Sequence, residues 1–294
     1  MVDFRIAAAT ADDMVRFRDW ADDLCWNPGD SDRYAFFPVD PRGFLIGRLD
    51  GEPVASISAV RYGSDYGVIG HHIVRDHVRG RGYGRQLWQA ALDRLAGRTI
   101  SVDGRGYPGF RRAWTTIRYE GVPTGLDRPR GLSLVDARSV PFDQIAAYDR
   151  LFFPAPRDAF LASWVSLPGH TAVAAIRDGH LHGFAVMRPA SGAHRIGPVY
   201  ADSQDVALAL VIGLSACAPG LPVCVDVPDI NECATILMEK LGLRQTSEST
   251  RLYRGPVPDV DLVGQYAVTS VELGLVRIDR SRFRLQEGEC GPAL

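Results

Sequence analysis

Residues 79–84 read RGRGYG, and the segments on either side of this stretch decide how it folds. The run Tyr66–Val74 before it is rich in apolar and β-branched residues and predicts a strand. The segment from Arg85 to about Leu95 places its apolar residues on one face, which predicts a helix. Glycines let a backbone approach a ligand closely, and the first N–H groups of a helix are unpaired and carry partial positive charge. The stretch is therefore a candidate anion site suited to a pyrophosphate.

Three kinds of phosphate-binding loop compete for this pattern. A Walker A loop needs a lysine after its last glycine, but Lys240 is the only lysine in the chain and lies far away. The dinucleotide-binding fingerprint needs a third glycine where Arg85 stands, and the preceding strands look antiparallel. The remaining pattern is Arg/Gln-x-x-Gly-x-Gly/Ala, which Arg79, Gly82 and Gly84 fill.

The second half of the chain repeats features of the first. Asp50-Gly51 and Asp178-Gly179 each join two runs of alternating polarity, which is a strong hairpin signal. Gly109-Phe110-Arg111 in the first half is echoed by Gly242-Leu243-Arg244 in the second. Recurrence of such features roughly 130 residues apart indicates two copies of one structural unit.

With this loop, this order of elements and this repeat, the chain resembles the GNAT acetyltransferase superfamily, in the branch with two such folds in tandem. The resemblance implies an α/β (α+β) fold of two tandem GNAT-like units, each a mixed, mostly antiparallel sheet flanked by helices. We expect an N-terminal domain over residues 1–125 that carries the acyl-CoA loop. A degenerate C-terminal domain is expected over residues 130–274, followed by a tail at 275–294.

The resemblance also implies where acetyl-CoA, or a related acyl-CoA, would bind as co-substrate. The backbone of Ile73 and Val74 would pair with the pantetheine arm and polarise the thioester carbonyl. The pyrophosphate would be held by Arg79, Gly80, Arg81, Gly82, Tyr83, Gly84 and Arg85. The equivalent loop of the second half, residues 197–202, contains a proline without an N–H and an aspartate, so a single cofactor site is expected.

The catalytic residues match the family pattern less well. Many members have a glutamate base at the position of Val68, so His72, four residues later and expected on the same strand face, is the candidate base, with His71 behind it. The usual acid is a tyrosine on a helix after the fifth strand. That helix is missing from the first half, and the second half has Met238 at the tyrosine position, so Tyr107 is the candidate acid.

The function implied is transfer of an acetyl or other acyl group from acyl-CoA to the amine of a small-molecule acceptor by direct attack, since no nucleophile motif is visible. Trp20, Trp26 and Trp114 are candidates to line the acceptor pocket. One alternative is a catalytically silent acyl-CoA-binding or regulatory module. Another is an acyltransferase that uses a non-CoA activated donor, such as a carrier-protein thioester.

Composition argues against several other classes of protein. A net charge of -2 disfavours a general nucleic-acid surface. No apolar run approaches the roughly 20 residues of a membrane span, and no signal pattern opens the chain, so a soluble cytoplasmic protein is expected. No metal site is predicted, because the cysteines form no CxxC pair and the histidines at 170, 180 and 182 lack other ligands at suitable spacing.

Overall fold

The computed structural model describes residues 3–271, which form thirteen strands and seven α-helices. The predicted tail at 275–294 lies outside the described residues. The strands are β1 Phe4–Ala8, β2 Phe44–Leu49, β3 Glu52–Tyr62, β4 Tyr66–Val74, β5 Thr99–Gly104, β6 Arg111–Gly121, β7 Ser133–Asp136, β8 Thr171–Arg177, β9 His180–Arg188, β10 His194–Ala201, β11 Val223–Pro228, β12 Arg244–Arg254 and β13 Gln265–Ala267. The α-helices are α1 Met14–Asp23, α2 Asp32–Phe36, α3 Tyr83–Arg94, α4 Phe142–Asp149, α5 Asp158–Ser166, α6 Gln204–Ser215 and α7 Glu232–Lys240.

Both predicted hairpins are confirmed. Asp50 and Gly51 join β2 to β3, and Asp178 and Gly179 join β8 to β9. All four residues have positive φ values, from +49° to +94°, which matches the right-handed twist of the flanking strands. The sequence therefore determines these turns locally.

One continuous sheet runs through the described chain, in the order β1-β2-β3-β4-β5-β12-β6-β11-β10-β9-β8-β7, with β13 paired to β10. Most neighbours are antiparallel, but β4–β5 and β10–β11 are parallel. Strand β12 from the second half lies between β5 and β6 of the first half, and β6 pairs in turn with β11. The two halves therefore exchange their long final strands, and this exchange joins them into a single sheet.

Helices cover both faces of this sheet. On one face of the first half, Leu87 of α3 and Leu95, which follows this helix, are buried in one cluster with Ile69 of β4 and Val102 of β5. On the opposite face, α1, α2 and α5 pack an aromatic core around strands from both halves, with Phe17, Phe36, Phe44, Phe160 and Trp164 at its centre. Helices α6 and α7 cover the second half in the same way as α3 covers the first. Strand β4 therefore lies between α3 on one face of the sheet and the aromatic core on the other.

Candidate functional site

Strands β4 and β5 separate part of the way along β4. Their parallel pairing runs from Tyr66 opposite Thr99 to Ile69 opposite Val102. Beyond this point β4 continues as residues 70–74, which pair with β3 only, while β5 continues towards β12. We call this opening the β4–β5 split. Backbone groups along one edge of β4 are thus left without a strand partner in the described chain, and an extended ligand can bind to them as a strand would. The predicted residues Ile73 and Val74 lie in the split.

The glycine-rich loop stands at the end of the split and leads directly into α3. Gly80 and Gly82 have φ values of +79° and +87°, which L side chains rarely adopt. Helix α3 begins at Tyr83, two residues before the predicted start at Arg85, because the left-handed Gly82 completes the turn. No side chain caps this helix and no acidic residue lies in its first turn. Its first N–H groups and the positive end of its dipole are therefore open to an anion.

Close packing explains the last glycine of the loop. A Cβ on Gly84 would lie 3.2 Å from Val74 Cγ2 and 3.3 Å from His72 Nε2. A side chain here would push the start of α3 away from β4. Gly84 therefore keeps the helix N-terminus beside the split.

The arginines of the loop divide into two groups. Arg79 donates from Nε to the carbonyl oxygen of Val74 at 2.9 Å and pairs with Asp76 at 2.8 Å. Its backbone N–H also donates to the backbone carbonyl oxygen of Asp76, at 3.1 Å. The backbone amides open to a ligand therefore begin at Gly80. Arg81 and Arg85 are exposed and form no ion pair within the described residues. Their charge is available to phosphates. Tyr83 stacks on the ring of Phe4 at 4.2 Å and fastens the first turn of α3 to the sheet.

A bulge in β4 reverses the expected placement of the two histidines. Ile57 on β3 faces two residues of β4, His71 and His72, and His71 has a φ of +46°. Strict alternation would place His72 on the face of Val68, and this expectation is wrong because the bulge inserts one extra residue. His71 instead lies on the Val68 face, with its ring 5.7 Å from Phe17, while His72 points towards α3.

The surroundings of His72 assign the proton on its ring. Nε2 lies 3.0 Å from the carbonyl oxygen of Gly84. A carbonyl can only accept, so Nε2 carries the hydrogen and Nδ1 holds the free lone pair. Burial lowers the pKa of His72, and the hydrogen bond to Gly84 only partly opposes this effect. The imidazole is therefore neutral at pH 7, with Nδ1 able to accept a proton.

Tyr107 shares the α3 face with His72. Its ring stacks on Trp88 of α3, with centroids 4.1 Å apart, and Trp88 lies 5.7 Å from the His72 ring. Gly104 gives Tyr107 its space, since a Cβ there would lie 3.0 Å from the tyrosine ring. No helix separates β5 from β6 in the described chain, as predicted. The structure thus brings both candidate catalytic residues to one cluster around Trp88.

The opposite face of the sheet carries an aromatic cleft that sequence reasoning missed. It encloses about 60 Å³ of space and opens to solvent at its mouth. Val68 and Trp114 line it, whereas Trp20 and Trp26 pack with Ile73 in a separate core cluster. The other lining residues are Tyr62, Tyr66, Phe152, Phe153, Pro154, Arg157, Tyr200, Arg251, Tyr253, Pro258, Val260, Leu262, Gln265, Val268, Thr269 and Ser270. These side chains come from segments far apart in sequence, so no local pattern could have revealed the cleft.

In the second half, the chain itself fills the corresponding opening. Parallel pairing of β10 and β11 ends at Ile196 opposite Val225, and β13 then pairs with the free stretch of β10. The backbone N–H of Val268 donates to the backbone carbonyl oxygen of Asp226 at 2.9 Å. A Cβ on Gly197 would lie only 2.4 Å from the backbone carbonyl oxygen of Val268. An extended ligand has no room there, which is a second reason to expect one cofactor site.

Neither a metal-binding cluster nor a membrane-spanning helix occurs in the part of the chain that the structure describes. No group of three or more His, Cys, Asp or Glu side chains within residues 3–271 could hold a metal ion. No helix in the same range is long and apolar enough to cross a membrane.

Comparison with known families and curated proteins finds acetyltransferase signatures in both halves. Residues 11–103 match the acetyltransferase (GNAT) family, and residues 145–267 match an acetyltransferase (GNAT) domain. The chain is 30% identical over 266 residues to the holothin acyltransferase of Pseudoalteromonas sp.. The match covers 87% of this chain and 90% of that relative.

Solved structures share the fold at lower sequence identity. A protein of Pyrococcus horikoshii assigned to the acetyltransferases has a TM-score of 0.75 at 22% identity, covering 92% of this chain and 95% of the other. A tandem GNAT protein from the clavulanic acid biosynthesis pathway has a TM-score of 0.60 at 17% identity, covering 87% and 100%.

Proposed function

This chain belongs to the GNAT acyltransferase family, and we propose that it transfers an acetyl or other acyl group from acyl-CoA to the amine of a small-molecule acceptor. The observation that carries the proposal is the uncapped start of α3, which lies beside the open edge of β4. Arg81 and Arg85 add unpaired positive charge at the same place. The holothin acyltransferase relative supports a small-molecule acceptor.

In the proposed reaction, the amine nitrogen attacks the thioester carbonyl carbon directly. The N–C bond forms and the C–S bond breaks; the nitrogen loses one proton and the departing thiolate gains one. We assign polarisation of the carbonyl to the backbone at Ile73 and Val74. Nδ1 of His72 is the proposed acceptor of the amine proton, and Tyr107 is the proposed donor to the thiolate. His72 lies across β4 from the aromatic cleft, so a proton released in the cleft would reach it through water.

One alternative is a catalytically silent acyl-CoA-binding module. Its support is that Val68, at the family's glutamate position, presents only an apolar side chain to the aromatic cleft. A second alternative is a carrier-protein thioester as donor, for which exposed Arg81 and Arg85 would suit an acidic carrier. Binding and turnover with acetyl-CoA separate both alternatives from the main proposal.

Calorimetric titration with acetyl-CoA and with CoA tests the proposal first. We expect one molecule bound per chain, because β13 fills the second-half opening. Release of CoA thiol and the mass of the acylated product, followed with a panel of small amines, then separate an enzyme from a silent module. Binding without turnover would favour the silent module. Absence of binding to either ligand would reject the acyl-CoA site.

Replacement of His72 by glutamine is expected to lower kcat by about 100-fold, the lower end of the range for general bases, with the Kd of acetyl-CoA changed by less than about twofold. A glutamine amide can still donate to the Gly84 oxygen but cannot accept a proton. In the wild-type protein, kcat/KM should fall as pH drops through a pKa below the ordinary histidine value, because protonation removes the base. This acid limb should be absent from the variant. A glutamine variant with wild-type kcat would exclude His72 as the base.

A further inference from the structure

The aromatic cleft adjoins the β4–β5 split, and this position makes it the place where an acceptor would meet the thioester. Val68 lines the cleft and is followed by Ile69, the last residue of β4 that pairs with β5. Residues are about 3.3 Å apart along a strand, so the start of the split at Gly70 lies within about 7 Å of Val68. A guest held in the cleft thus reaches the end of the split farthest from the glycine-rich loop, towards which the acyl end of a ligand anchored at that loop would extend.

The walls of the cleft are largely aromatic. Phe152 stacks on Tyr200 with centroids 4.2 Å apart and planes within 20° of parallel. Phe153 meets the rings of Tyr62 and Tyr66 edge-on, at 4.9 and 5.6 Å. Aromatic walls of this kind bind planar aromatic molecules through stacking and edge contacts. Burial raises the pKa values of all the tyrosines that line the cleft, so these walls are uncharged.

The lining of the cleft offers a cationic guest no unpaired carboxylate. Arg157 and Arg251 belong to its lining, but their partners Asp149 and Asp103 do not. No Asp, Glu or His occurs among the described residues that line it. His71, the histidine on this face of β4, lies outside the cleft against Phe17. Each guanidinium is paired with its aspartate, so the two ion pairs add little net charge to the cleft. An ammonium ion would lose its hydration there and gain no unpaired carboxylate as partner.

The cleft also offers a donor for a neutral polar group. The indole Nε1 of Trp114 is buried and has no hydrogen-bond partner within the described residues. Buried N–H groups nearly always have a partner, either in the protein or in a bound molecule. A guest that reaches this N–H would supply the missing acceptor through a ring nitrogen or a carbonyl.

We infer that the acceptor is a neutral, flat aromatic or heteroaromatic amine whose nitrogen is unprotonated at neutral pH. This inference rests on the proposed acyl transfer and names the substrate class of the same site. Such an amine explains why an apolar Val68 suffices where the family has a glutamate, because no ammonium proton has to be removed before attack. The proton released after attack still passes to solvent or to His72.

The isomers p-toluidine and benzylamine test this inference, because they share one formula and nearly one shape but differ in amine basicity. Each is offered at pH 7 with saturating acetyl-CoA, and CoA thiol release and product mass are measured. We expect kcat/KM to be at least about tenfold higher for p-toluidine, although the free base of benzylamine is the stronger nucleophile. An equal or higher value for benzylamine overturns the inference, and so does acylation of neither isomer by a protein that acylates another amine of the panel. Failure of acetyl-CoA to bind is a separate result that rejects the proposed function itself.

A pair of variants at position 68 checks that the cleft makes this choice. Val68→Glu adds a carboxylate to the cleft wall, and Val68→Gln adds the same bulk without charge. The ratio of benzylamine to p-toluidine turnover should rise about tenfold in the glutamate variant relative to the glutamine variant. An unchanged ratio would show that the amine does not bind there and overturns the inference. Thermal unfolding shows whether both variants fold, and where one does not, the comparison of isomers with the wild-type protein decides.

Discussion

Replacement of Gly82 by glutamate is expected to abolish acyl-CoA binding, with the Kd raised more than about 100-fold, equivalent to about 2.7 kcal/mol. The new carboxylate would stand at the N-cap of α3, at the positive end of the helix dipole. It would occupy the place proposed for the pyrophosphate and repel it. Calorimetric titration of the variant with acetyl-CoA and with CoA measures the effect.

Gly97→Glu is the matched control for this change. Gly97 follows the C-terminal end of the same helix and has a φ of +79°, and a Cβ added there would meet open space, as it would at Gly82. Both variants thus carry the same new charge and a similar cost of about 1–2 kcal/mol for the left-handed backbone. Gly97→Glu should bind within about threefold of the wild-type protein. Tight binding by Gly82→Glu would refute the loop as the pyrophosphate site.

Replacement of Asp226 by asparagine is expected to reduce the free energy of unfolding by about 3–5 kcal/mol. The buried carboxylate accepts from Arg118 at 2.8 and 3.1 Å and also from Arg195. Both guanidinium groups also donate to the backbone carbonyl oxygen of Trp26, at 2.7 and 3.1 Å. Loss of the carboxylate leaves two buried cations that link β6, β10 and the first-half loop. Chemical denaturation gives the change in unfolding free energy.

Asp136→Asn serves as the control, because Asp136 pairs with Arg138 through several hydrogen bonds but lies on the surface. Solvent screens that pair, so little change in stability is expected. At Asp226, burial alone would raise the carboxyl pKa, but Arg118 and Arg195 outweigh it and hold the pKa below its ordinary value. The contribution of Asp226 is therefore present above the ordinary carboxyl pKa and is lost as pH falls through the lower folded value. Equal stability of the two asparagine variants at pH 7 would contradict this account.

Sequence patterns predicted correctly what depends on a few neighbouring residues. The two hairpin turns needed only an Asp-Gly pair between alternating runs, since positive φ is a property of the residues themselves. The loop at 79–84 followed from the same property of glycine, and the repeat followed from spacing alone. The family and the fold class could both be reached in this way, and the anion site at this loop remains a prediction. The domain boundaries at 125 and 130 remain a prediction.

Contacts between distant residues decided everything else. The exchange of β6 and β12 joins two units into one sheet. Strand β13 closes the second-half opening by pairing with β10, which lies more than sixty residues earlier in the chain. The bulge at His71 depends on which residue of β3 lies opposite, so alternation along β4 alone misplaced His72. The aromatic cleft exists only after both halves have packed. Local patterns predict backbone conformation, because the conformation of a residue depends largely on its own type and its neighbours. Register, strand order and cavity lining depend instead on which distant surfaces pack against each other.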